Sequence, residues 1–115
     1  MKISILLPYK ENFSPEYPGA VSLFVKDTSV ISKYNNSIKI YGSTNYKEKL
    51  LSNYINVKLS KKLFQGKNII YVKSFLKYEE KNNSDIIEIH NRPKYLEIVK
   101  KNSKAKIFLY FHNDP

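Results

Sequence analysis

Five short runs punctuate the chain: residues 2–7 (KISILL), 37–41 (SIKIY), 54–58 (YINVK), 85–89 (DIIEI) and 106–111 (KIFLYF). Each is too short for a core helix, rich in Ile, Leu, Phe or Tyr, and bounded by breakers, so each reads as a strand, β1 to β5. What separates them has another period. Residues 8–19 (PYKENFSPEYPG) hold three prolines and a glycine and form a loop. From Ala20 the spacing of Val21, Phe24, Thr28 and Ile31 marks one face of a helix, α1, with Asn35-Asn36 as its stop. Gly42 to Asn45 reads as a turn, with a short helix expected over 45–52. The stretch 60–82 is helical in part (α2), with Ile69, Val72, Phe75 and Leu76 on one side. Asn82-Asn83-Ser84 breaks it. Pro93 suits a first helical position, where its missing N–H has no partner to lose, and Tyr95, Leu96, Ile98 and Val99 give the following helix, α3, an apolar side.

Strands alternating with helices imply an α/β fold with a parallel sheet covered on both faces and right-handed crossovers. The expected architecture is a Rossmann-like doubly wound sheet in the order 3-2-1-4-5, stopping after its fifth strand. A chain of 115 residues is one modest domain or part of a larger one. It has no cysteine, which excludes disulfides and thiolate metal sites. The apolar start, Ile3 to Leu7, is too short for a signal segment and is stopped by Pro8. Nothing approaches a membrane span, so a cytoplasmic location is expected. The net charge of +10 favours anionic partners, although lysines scattered through the chain also suit a plain solvated surface.

Doubly wound sheets bind ligands outside the carboxyl ends of the strands, where strand order reverses, here between β1 and β4. Three segments leave the sheet near that point. After β1 comes the 8–19 loop. After β4 comes His90-Asn91-Arg92-Pro93. After β5 comes His112-Asn113-Asp114-Pro115. Both histidines of the chain fall in these two tetrapeptides. His offers a hydrogen bond or proton transfer near neutrality, Asn a donor and an acceptor, Arg a fork for phosphate or carboxylate. The plainer alternative is that Asn and Asp cap helices while each His packs locally. Gly19 permits close backbone approach where α1 starts, and a helix start favours anions. The G-x-G-x-x-G and P-loop patterns are absent. Glu88 with His90, His112 and Asp114 lacks a metal-ligand spacing. Neither metal nor cofactor is expected.

The segments MKISILLP, PGAVSLFVKD, DIIEIHNRP and KIFLYFHNDP, in this order, resemble the amino-terminal half of group 1 glycosyltransferases, retaining enzymes of the two-Rossmann-domain (GT-B) architecture that use nucleotide-sugar donors. The resemblance implies that residues 1–115 are a partial acceptor-side domain and that a carboxy-terminal nucleotide-sugar-binding domain lies outside them. It points to Gly19 and Ala20 beside the transferred sugar and donor phosphates, to His90, Asn91 and Arg92 on the acceptor side, and to His112 as the catalytic group near the reacting sugar. Asn113 and Asp114 belong to the same substrate-binding rim. Gly19-Ala20 stands where many members carry paired glycines, which bears on donor approach. The implied partners are a nucleotide-sugar donor and a glycan or lipid-linked acceptor, and the chain alone is expected to be inactive. The rival expectation is a small stand-alone Rossmann-like module for a nucleotide or other anionic ligand. Nucleic acid is not an expected partner, because the lysines do not cluster. Peripheral contact with an anionic membrane face and a homodimer through an uncovered sheet edge are further expectations.

Overall fold

The computed structural model describes residues 1–61 and 64–112. The expected sheet forms. β1 (Ile3–Leu6), β2 (Ile38–Gly42), β3 (Tyr54–Asn56), β4 (Ile86–His90) and β5 (Lys106–Tyr110) pair in the order β3-β2-β1-β4-β5, all parallel. The register places Ile3 opposite both Ile38 and Ile86, and Ile5 opposite Ile40 and Glu88. α1 (Ala20–Ile31) lies on one face, and α2 (Lys67–Asn82) and α3 (Pro93–Asn102) belong to the other.

Alternation along the strands divides the core. Leu6, Tyr41, Ile87 and Ile89 meet Val72, Phe75 and Leu76 of α2 and Tyr95 and Val99 of α3. Ile3, Ile5, Leu7, Ile38 and Ile40 meet Val21 and Val25 of α1 and Phe13 of the preceding loop. Full burial of each such side chain contributes about 1.5–3 kcal/mol. Tyr71 is fully buried and donates its hydroxyl to the backbone oxygens of Leu7 (2.6 Å) and Tyr41 (3.2 Å), pinning α2 to the ends of β1 and β2. At the amino end of the sheet, the buried Glu79 carboxylate accepts from the hydroxyls of Ser4 (2.7 Å) and Ser84 (2.9 Å). α2 ends there, with Asn83 in the left-handed region at φ 53° and its N–H donating to the Glu79 carbonyl at 2.7 Å.

Two local expectations are corrected. Residues 45–52 are not helical. Leu50 and Leu51 reach the core from an irregular segment, and the Leu50 N–H donates to the Phe13 carbonyl at 3.3 Å. An eight-residue segment gains too little from helix formation to resist that packing. The inward face of α1 is Val21, Ser22, Val25 and Ser29, instead of Val21, Phe24, Thr28 and Ile31. Two serines let the helix sit close to the sheet, while Ile31 stays 84% exposed and Phe24 turns toward the histidines.

Candidate functional site: a histidine pair at the carboxyl rim of the sheet

β4 places Glu88 and His90 two residues apart, hence on one side of the sheet, the side that carries α1. His90 is 1% exposed and both its ring nitrogens are engaged. Nε2 lies 3.3 Å from Glu88 Oε1, and Nδ1 lies 2.7 Å from Nε2 of His112. The two imidazoles are nearly parallel, 4.9 Å between centroids, and Tyr110 stacks on His90 at 4.9 Å and 7°. Phe24 of α1 sets its edge against His112 at 4.7 Å. A buried histidine thus stacks on Tyr110 with a carboxylate at one ring nitrogen and a second histidine, edge to edge, at the other.

Asn91 holds the second histidine in place. Its backbone is left-handed, φ 55°, a conformation Asn tolerates better than most residues. That turn aims its N–H at the Tyr110 carbonyl (2.8 Å) and lets its side-chain oxygen accept the His112 backbone N–H at 2.6 Å. The first His-Asn turn therefore fastens the second. The ladder between β4 and β5 continues past the strands through a side chain.

The His112 imidazole is only partly covered. Desolvation holds it below the ordinary histidine range, His90 beside it adds to this, and the Glu11 carboxylate opposes it. Desolvation, with Glu88 assisting, raises the Tyr110 phenol, which stays neutral over the physiological range. Among the described residues, Nδ1 of His112 has no hydrogen-bond partner. It is the atom of the pair left to meet a ligand.

The structure divides the other expected residues. Gly19 and Ala20 stand at the start of α1, where Glu11 folds back so that its Oε2 accepts from the Ser22 N–H (2.9 Å) and hydroxyl (2.8 Å). A side chain at Gly19 would strike that carboxylate. The chain's own anion thus takes the helix start. Arg92 lies apart from the histidines, beside a cleft of about 460 Å³ between the starts of α2 and α3, lined with Asn68, Ile69, Lys94, Tyr95 and Ile98 among others. Its Nη1 donates to the Asn91 carbonyl at 2.7 Å. Tyr95 joins this cleft to the β1 loop, its hydroxyl accepting from the Tyr9 N–H at 3.1 Å and donating to Asn68. Asn113 and Asp114 lie outside the described residues.

The sequence reading missed Glu11 and the part played by Glu88. Glu88 had a signal, an acid inside an apolar strand two residues before a histidine. Glu11 had none, since its partner lies across a proline-rich loop. Among the described residues no helix is long and apolar enough to cross a membrane, and no three His, Asp or Glu side chains gather as metal ligands. Comparison with protein-family models and with curated proteins gives no match.

Proposed function

We propose that this chain is the acceptor-side half of a retaining glycosyltransferase that moves a sugar from a nucleotide-sugar donor to a glycan or lipid-linked acceptor. The observation that carries the reading is convergence. Three of the segments bearing the sequence resemblance, PGAVSLFVKD, DIIEIHNRP and KIFLYFHNDP, bring Phe24, His90 and His112 together at the carboxyl edge of a parallel sheet, with Arg92 turned to a cleft of its own. In this reading His112 faces the reacting sugar, Arg92 and the cleft beside it serve the acceptor, and the start of α1 faces the donor only once the Glu11 carboxylate that occupies it is displaced. His90 has no free nitrogen and acts through His112. The cationic surface suits an acceptor carrying phosphate or bound to an anionic membrane. Most donor affinity belongs to a second domain, so residues 1–115 alone are expected to bind donors weakly and turn none over.

The second reading, a module that binds a nucleotide or other anion unaided, draws on the same rim and on the Arg92 cleft. Amide-shift mapping of the chain with nucleotide sugars, free nucleotides and sugar phosphates separates the two. The transferase reading expects sugar-dependent shifts at Ala20, Arg92 and His112. Shifts that follow the nucleotide and ignore the sugar favour the module. Turnover of a nucleotide sugar by residues 1–115 overturns the expectation that they are inactive alone, and a rim unmoved by every sugar ligand overturns the transferase reading.

A further inference from the structure

A neutral histidine pair joined by one hydrogen bond has a fixed proton order when a carboxylate stands at one end. The Glu88 carboxylate accepts, so His90 carries its proton on Nε2 and presents a bare Nδ1. The 2.7 Å contact with His112 then requires the proton on Nε2 of His112. Nδ1 of His112 is left with a lone pair, pointing away from the pair. Every atom in this chain of bonds is determined once Glu88 is ionised.

We propose that Glu88, His90 and His112 form a proton relay, in which a proton taken up at Nδ1 of His112 drives the Nε2 proton of that ring onto Nδ1 of His90. One N–H bond forms at Nδ1 of His112, one breaks at its Nε2, and one forms at Nδ1 of His90. The positive charge comes to rest on the buried ring beside Glu88. His112 ends neutral with its tautomer reversed, and the atom it offers changes from acceptor to donor. Before uptake, Nδ1 accepts a hydrogen bond from a ligand hydroxyl. Afterwards it donates to an anionic oxygen. An enzyme that deprotonates a hydroxyl and then faces a phosphate needs that pair of states at one atom. The ligand class rests on the transferase reading; the relay itself does not.

The surroundings fit. From β4 the charged neighbour is Glu88, from β5 the neutral Tyr110 phenol, from the β1 loop Glu11, and α1 contributes the uncharged Phe24. Desolvation disfavours charge on His112 and also on the more deeply buried His90, so the inward transfer depends on the Glu88 carboxylate 3.3 Å from Nε2 of His90. Glu88 is a positioning residue, because it acts through His90.

The test is side-chain nitrogen NMR of the uniformly ¹⁵N-labelled chain, without ligand, across the histidine titration. For the wild type the expected result is a single proton uptake in which Nδ1 of His112 gains a proton while its Nε2 loses one. In Glu88→Gln the uptake shifts to lower pH, and both nitrogens of His112 become protonated together, as in an ordinary imidazolium. A wild-type His112 that titrates to a doubly protonated ring overturns the relay, as does a Glu88→Gln profile identical to wild type. Should Glu88→Gln fail to fold, the wild-type tautomer pattern decides alone. No ligand enters the measurement, so its outcome is separate from the fate of the transferase reading.

Discussion

The Asn91 turn lends itself to a graded test, because its two contributions are separable by substitution. Asn91→Gly keeps the left-handed backbone at no steric cost but deletes the oxygen that accepts the His112 N–H at 2.6 Å. A hydrogen bond of this kind contributes about 0.5–1.5 kcal/mol net. Asn91→Ala deletes the same oxygen and also replaces Asn with a residue that tolerates φ 55° less well, which adds up to about 1–2 kcal/mol. Asn91→Asp keeps an acceptor and tolerates the turn. The expected order of stability is wild type and Asp together, then Gly lower by about 1 kcal/mol, then Ala lower by about 2–3 kcal/mol. Urea unfolding with a common m-value reads the global loss. Amide exchange at His112 reads the local one, and it accelerates in both Gly and Ala variants while Asp stays protected. Equal loss in Gly and Ala would refute the claim that the left-handed backbone matters. Unchanged His112 exchange in Asn91→Gly would refute the side-chain clip.

Two other outcomes follow from buried tyrosines. Tyr71→Phe keeps the ring but strands the Leu7 carbonyl, while the Tyr41 carbonyl keeps the Leu7 N–H at 2.9 Å, so a loss of about 1–3 kcal/mol is expected in denaturant midpoints. Burial, with Glu79 nearby, pushes the Tyr41 phenol up to about 12, above its ordinary value of 10. A raised phenol stabilises the fold fully below the unfolded value and loses that contribution as pH climbs from about 10 toward 12. Phenolate absorbance should therefore show exposed tyrosines ionising first, with a late step coinciding with alkaline unfolding. One smooth titration of all ten tyrosines with the fold intact would contradict it.

The strands and their order were legible because five apolar runs alternate with helical periods, and few topologies accept that alternation. The inward face of α1 was not. A hydropathy pattern ranks Phe24 and Ile31 above Ser22 and Ser29, yet the sheet accepts the small residues and Phe24 is more useful against His112. The 45–52 segment has helical composition, and only contact with Phe13 and the core decides otherwise. At the rim, the repeated His-Asn pairs announced a special place. Sequence placed β4 beside β5 but could not say that one pair would clamp the other, because that depends on φ at Asn91 and on where its side chain then points. Nor could it show Arg92 turning toward a separate cleft, since direction at a helix start follows from the turn before it.

β1 occupies the centre of the sheet, with β2 on one side and β4 on the other. During synthesis its partners arrive far apart in time. β2 is made early and gives β1 one satisfied edge, but the other edge stays open until residues 86–90 emerge. Parallel pairings between such distant segments form slowly, and an open apolar edge is exposed to wrong partners while it waits. Lys2 lies at the entry to that edge, where its backbone N–H and carbonyl meet the Asp85 carboxylate and amide at 2.8 Å and 2.9 Å. Changes that unsettle this junction would therefore reduce the yield of folded chain more than the stability of chains that have already folded.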